Sequence, residues 1–348
     1  MSTCDGFWTA TRKLRRRYNR LWLADHAART VLRRETWLTA RRLRVHAELV
    51  RLALDLDDGG TGADHARTAS PIERRRPVDR VSTIDPIDFR RCYLDTDTPV
   101  VIAGAGASWP AANWTHAMLA SRYKQTTVRL LRAAPNEAKG RPGEGRDATY
   151  AEIAESMDAG GDLYARFAGI MHQHPELVDD VDVEWFRAMR DDHRSFENWG
   201  FFMGGAETAT GLHSSIAPNL FYQITGRKRW WIYPAAAAPF FAPLAKCSPY
   251  FYSEVDVSDP VKWPIARCVP GWIADLKPGD VLYVPAFAWH QVHNPTATIA
   301  VGYRWAKLGL GWRASPVQTV LVLTCSNPSL LRARGHKDLP SLLDAVDY

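Results

Sequence analysis

The sequence predicts a mainly β fold with α-helical segments at both ends of the chain, on three observations. The stretches Thr208 to Pro234 and Leu276 to Val292 each read as a pair of strands joined by a tight turn. Residues 7–56 are rich in Arg, Leu and Ala and contain no Pro or Gly, as a helical segment requires. Beyond Trp305, helical patterns return over Pro316 to Leu323, Asn327 to Arg334 and Pro340 to Val346, with Asn327 suited to capping and Pro328 to a first turn.

A chain of 348 residues is long enough to bury a sizeable core, as one large domain with an appendage or as two domains. It has no run of about 18 apolar residues, so no membrane span is expected. The opening MSTCDGFWTATRKLRRRYNR carries charges where an export signal needs an apolar stretch, and Cys4, Cys92, Cys247, Cys268 and Cys325 are scattered without metal-like spacing. A reducing cytoplasm is the expected compartment.

The net charge of +6 is unevenly placed, with Arg12, Lys13, Arg15, Arg16, Arg17 and Arg20 crowding the first segment. Such a face can attract nucleic acid, an acidic peptide or an anionic surface. It is read here as a solvated or docking helix face rather than a nucleic-acid site.

In chain order, residues 1–56 form the basic helical segment, one long helix or two broken near Thr36, with Leu14, Tyr18, Leu21 and Trp22 on an apolar stripe that must be buried. Residues 57–77 are rich in Gly, Asp and Arg and read as a linker. The main domain is expected over 78–310 and a C-terminal helical segment over 311–348. Ser82 or Asp85 can cap a short helix, and Pro99 to Ala103 is a buried strand. Thr126 to Leu131 is a further strand, Tyr150 to Met157 a helix and Leu163 to Gly169 an extended piece. His172, His174 and His193 fall in the connecting pieces and are read as surface or structural.

The two strand pairs carry the chemistry. Strand alternation sets Thr210, Leu212 and Ser214 on one face and Gly211, His213 and Ser215 on the other. Gly226-Arg227 then turns the chain into Lys228 to Tyr233. Pro278-Gly279-Asp280 precedes the apolar run Val281 to Val284, and Ala288-Trp289-His290 starts another strand. Two histidines, His213 and His290, on inward faces of neighbouring strands can share a metal ion. His293 lies an odd number of residues from His290 and should face the other way.

His213, Asn219, Gln223, Gly226, Lys228 and Arg229, with PGDVLYVPAFAWHQV, fall without a gap on the pattern H-x-D, N-[LF]-x-x-Q-x-x-G-x-K-R and its second histidine segment. The chain therefore resembles the JmjC or cupin-like 2-oxoglutarate oxygenases, most closely their asparaginyl-hydroxylase branch. The resemblance runs from about Val78 through Trp305. It implies a double-stranded β-helix, the jelly-roll barrel of that family. It further implies Fe(II) on His213 and His290, 2-oxoglutarate on Lys228, Thr210 and Asn219, and a C-terminal helical part suited to homodimer contact.

Ser215 departs from that pattern, standing where the family has its metal-binding Asp. The consequences are chemical: chloride could occupy the open position and turn hydroxylation into halogenation, Glu207 or Asp256 could swing in as a carboxylate, or the site could be reduced to a binding module. Gly302 stands near a position where that branch often has Asn, and Arg304, on the same face, can grip an anionic substrate or the co-substrate. The expected activity is oxidation of an aliphatic C–H in a peptide or small metabolite, with a catalytically inactive binding protein as the alternative.

Overall fold

The computed structural model describes residues 3–33, 35–56, 74–130, 146–190, 196–329 and 332. The chain begins with α1 (Thr3–Ala10), α2 (Arg12–Leu32) and α3 (Trp37–Asp55), followed by β1 (Arg75–Pro77), β2 (Asp79–Val81), α4 (Pro86–Phe89) and β3 (Val100–Ile102). Next come α5 (His116–Tyr123), β4 (Thr127–Arg129), β5 (Asp147–Thr149), α6 (Tyr150–Asp158), β6 (Tyr164–Ala168), α7 (Ile170–Gln173) and α8 (Val183–Met189). The barrel strands are β7 (Phe196–Gly204), β8 (Thr208–Ser214), β9 (Asn219–Thr225), β10 (Lys228–Tyr233) and β11 (Phe251–Tyr252). After α9 (Ile265–Cys268) they continue with β12 (Gly271–Leu276), β13 (Val281–Val284), β14 (Trp289–Asn294) and β15 (Thr298–Ala306). Helices α10 (Leu308–Ala314) and α11 (Pro316–Leu323) follow.

Two facing sheets make the barrel, in the orders β1-β12-β10-β14-β8-β11 and β2-β3-β13-β9-β15-β7-β6. The expected double-stranded β-helix with flanking helices is the architecture found. Its strands read as near-continuous apolar runs because both faces are covered. On β15, Ile299, Val301, Tyr303 and Trp305 enter the cluster that holds α5, α6 and α8, whereas Ala300 turns to the barrel interior. On β10, Trp231 and Tyr233 pack outward and Trp230 and Ile232 inward. Gly226 and Gly279 make the turns at φ 72° and 92°, a left-handed region open to glycine at little cost.

The helical N-terminal segment is an antiparallel hairpin broken at 33–36, as the sequence suggests, with Arg33 left-handed at the end of α2. Its apolar stripe, Tyr18, Trp22, Val45 and Leu49, packs on the outer face of the smaller sheet with Phe240, Trp289 and Leu321. Arg12, Lys13, Arg16, Arg17 and Arg20 remain exposed.

Asp85 caps α4, its Oδ1 accepting from the Ile87 and Asp88 amides at 2.9 and 3.0 Å. Three residues assigned to the linker instead join the barrel, since Arg75, Arg76 and Pro77 pair in parallel with β12. The helix expected from Asn327 does not start there: the Asn327 amide and side chain donate to Cys247 O and Lys246 O, a tertiary use of the side chain that would have capped it. His193, 57–73 and the helix expected over Pro340 to Val346 lie outside the described residues.

Candidate active site

His213 and His290 are brought together by register. They stand directly opposite each other in the antiparallel pair β8 and β14, with ring centroids 4.1 Å apart. Each ring has its Nδ1–H committed to a backbone carbonyl, Gly211 O at 2.8 Å for His213 and Ala288 O at 2.9 Å for His290. A carbonyl only accepts, so this fixes the tautomer and leaves each Nε2 as the lone-pair nitrogen, the arrangement of a metal ligand. His213 Nε2 is buried without a hydrogen-bond partner. Burial pushes both imidazoles toward the neutral form that binds metal, His213 well below the usual histidine range and His290 to about 4.

The donor set therefore fits a metal ion held by two imidazoles. Among the described residues no group of three or more His, Cys, Asp or Glu side chains converges to complete it. Ser215 is buried one residue beyond the end of β8, and its carbonyl accepts from the Phe287 amide at 2.8 Å. Neither alternative carboxylate takes its place. Glu207 pairs with His293 at 3.2 Å near the surface, and Asp256 accepts from Gln291 Nε2 at 2.6 Å and from Ser258. His293 thus faces away from His290, as its spacing suggests.

Thr210 lands on the histidine side, contrary to simple alternation. Between His290 and Val292 the partner strand advances from His213 to Thr210, so β8 holds an extra residue there, a β-bulge. The bulge reverses the phase of the strand, and Thr210 lines a pocket together with His213, His290, Lys228 and Arg304.

Lys228 is 1% exposed and donates to Asn294 Oδ1 at 2.7 Å and Tyr164 OH at 3.1 Å. Asn294 is fixed in turn by donating to Thr208 Oγ1 at 2.8 Å. The ammonium sits 5.2 to 5.8 Å from the ring centroids of Tyr164, Phe202 and Phe221, a cation held among aromatic faces. Burial lowers its pKa. A buried cation with neutral hydrogen-bond partners suits an incoming carboxylate. Asn219, 3% exposed, has both side-chain amide atoms buried without a partner, and lies over Gly302, where an added Cβ would meet its Oδ1 at 3.0 Å.

Sequence reasoning had not singled out Tyr164, Asn294 or Tyr250. Tyr164 comes from the edge strand β6, and Asn294 is legible only once β14 is set beside β8 and β10. Arg304 is 5% exposed, lines the pocket and lies close to Tyr250. His172 meets the Asn198 side chain and His174 the Thr126 hydroxyl, in keeping with structural roles.

The cupin-like domain family matches residues 86–308. Among similar proteins, lysine-specific demethylase JMJ21 of Arabidopsis thaliana is 25% identical over 245 residues, covering 66% of this chain and 25% of that protein. Lysine-specific demethylase 8 of Danio rerio is 25% identical over 234 residues, 63% of this chain and 55% of its own length. The HSPB1-associated protein 1 homolog of Danio rerio is 25% identical over 280 residues, 70% of this chain and 61% of its own. The chain spans less than two thirds of each of these relatives. With barrel, paired imidazoles and buried lysine in place, the family match over most of the sequence makes this chain a member of the cupin-like, JmjC-type family of 2-oxoglutarate oxygenases.

Proposed function

We propose that this protein is an Fe(II)- and 2-oxoglutarate-dependent oxidoreductase that oxidises an aliphatic C–H of a peptide or small metabolite. The observation that carries the reading is the cross-strand pair of His213 and His290, whose Nδ1 atoms are both tied to backbone and whose Nε2 atoms are left to a metal. Iron and 2-oxoglutarate, when bound, supply the oxidising power, with dioxygen as oxidant and succinate and carbon dioxide as co-products. The chain's own residues bind and orient. His213 and His290 hold the metal, Lys228 takes the distal carboxylate of the co-substrate, and Thr210 and Asn219 add polar contacts. Phe202, Phe221, Trp230 and Val292 form the apolar wall around them. The names of two relatives, as lysine demethylases, support C–H oxidation as the reaction type.

Ser215 in the carboxylate position leaves hydroxylation and halogenation as outcomes of one site, the second requiring chloride beside the imidazoles. Pure protein mixed anaerobically with Fe(II) and 2-oxoglutarate is expected to develop the weak visible charge-transfer band of that chelate. Admission of air is expected to yield succinate. Absence of the band at saturating ligand, with no succinate under any substrate or halide, would transfer the chain to the binding proteins.

A further inference from the structure

We propose that the outer face of the N-terminal hairpin is a docking surface for a membrane rich in anionic phospholipid, with Val31, Leu32 and Trp37 at its tip entering the headgroup layer. The inference is independent of the metal and of the reaction.

Helical phase assembles the charge. On α2, Arg12, Arg16 and Arg20 recur every four residues, and Lys13 and Arg17 form the adjoining row, so all of them share one side of the helix. Tyr18, Trp22, Asp25 and His26 occupy the opposite side and are buried, which turns the cations away from the barrel. The neighbouring α3 adds Arg41 and Arg44, both exposed. Arg41 lines one groove with Arg12, Arg16 and Arg20, so cations of the two helices converge. Among the described residues only Arg17 of this set meets a carboxylate, Glu48 at 3.1 Å. Glu35, between the helices, is engaged by Arg29 at 3.4 Å. Like charges four residues apart destabilise a helix, a cost that a dense anionic surface removes.

The tip decides which anionic partner fits. Where α2 ends and α3 begins, large apolar side chains stand in the open: Val31 is 79%, Leu32 52% and Trp37 67% exposed. Val31 lies eleven residues past Arg20, about three helical turns, which puts it on the cationic face rather than on the core stripe. Ala24 and Ala27, exposed between them, place neither bulk nor charge in the way. The Arg41 guanidinium sits 5.8 Å from the Trp37 ring centroid, joining aromatic and cation in one unit. Nucleic acid or an acidic peptide would use the arginine rows and leave this tip in water. A bilayer interface serves both parts, with phosphates for the arginines, acyl chains for Val31 and Leu32, and the boundary that indole favours for Trp37.

The test sediments metal-free, full-length protein with vesicles of equal parts phosphatidylcholine and phosphatidylglycerol, and with vesicles of phosphatidylcholine alone. Binding to the mixed vesicles and not to the neutral ones is expected, weakening as salt is raised. Arg12→Gln, Arg16→Gln and Arg20→Gln combined are expected to lower the partition coefficient about hundredfold, about fivefold for each cation. Val31→Ser with Trp37→Ser should lower it about tenfold or more. All these positions are exposed, and circular dichroism checks that the hairpin persists in each variant. Mixed vesicles with brominated acyl chains read the tip in the otherwise intact protein: tryptophan fluorescence is quenched in wild type, and that quenching is lost in Trp37→Phe. No sedimentation with the mixed vesicles at low salt overturns the inference. So does a partition coefficient unchanged in the triple arginine variant. Binding that survives the tip variant, or duplex DNA of mixed sequence that outcompetes the vesicles, gives the face to another polyanion and overturns it as well.

Discussion

With a metal placed on His213 and His290 as proposed, Ser215 would set its chemistry, because two neutral imidazoles bind a divalent ion with less electrostatic help than two imidazoles and a carboxylate. Alternation from His213 places Ser215 on the ligand side of the strand end. Ser215→Asp is therefore expected to tighten Mn(II) binding by about tenfold or more, judged by what even outer hydrogen-bond partners contribute to metal affinity. Titration followed by electron paramagnetic resonance reads this directly, and unchanged or weaker affinity would mean that position 215 does not face the ion. His213→Ala should abolish binding in the same assay. At Lys228 the expected effect falls on the co-substrate. Replacing this buried cation by Met leaves a carboxylate desolvated without its counter-charge, a loss that raises the 2-oxoglutarate Kd by roughly two orders of magnitude. A change below threefold would remove Lys228 from the carboxylate site.

Strand pairing explains which parts of the site were legible before the fold was known. The strands β8, β9, β10, β13 and β14 announce themselves through apolar runs closed by the Gly226 and Gly279 turns, so the two histidines are legible from residue type and spacing, and Lys228 from the family resemblance. The bulge in β8 could not, since an extra residue is defined only against the partner strand, and it alone moves Thr210 to the His213 side. Tyr164 and Asn294 escaped for a related reason: their meeting at Lys228 depends on sheet order rather than on local pattern. Asn327 misled because its side chain serves Lys246 O instead of a helix start. The β9 and β15 pairing yields its own prediction. A Cβ at Gly302 would stand 3.0 Å from Asn219 Oδ1 and 3.3 Å from a Phe202 ring carbon, so Gly302→Ala must displace the Asn219 amide. Weaker 2-oxoglutarate binding, by about threefold to tenfold, is expected with a stability cost of about 1–3 kcal/mol for the overpacking. Unaltered affinity in the folded variant would show that Asn219 does not touch the co-substrate.

Across the whole molecule, the N-terminal hairpin acts as a buttress for the sheet that carries the histidines. Trp22 of α2 packs edge-on against Phe251 at 5.4 Å, and Phe251 pairs with Ser214, the residue after His213. Inside the hairpin, buried Asp25 accepts from Thr36 and Thr39 at 2.8 Å and from Arg29 at 3.2 Å, tying α2 to α3. Two imidazoles fasten this unit to the rest: His26 meets Thr324 O at the end of α11 at 3.1 Å, and His46 Nδ1 donates to Pro239 O at 2.9 Å. Burial lowers the pKa of both below the usual 6.5. Above about pH 6.5 neither the folded nor the unfolded chain protonates them, and their contribution is fully present. As pH falls below that value the unfolded chain binds protons that the folded chain resists, so stability declines until the depressed folded pKa values are reached. The denaturant midpoint is therefore expected to be lower at pH 5.5 than at pH 7.5, a window above the range where ordinary carboxylates titrate. The cavity imidazoles respond in the same direction, and a double variant separates the two contributions. His26→Gln with His46→Gln should flatten the slope while leaving that of the cavity pair. A slope identical to wild type would show that the hairpin is not held by neutral histidines, and the buttress would then depend on its apolar stripe and on Asp25.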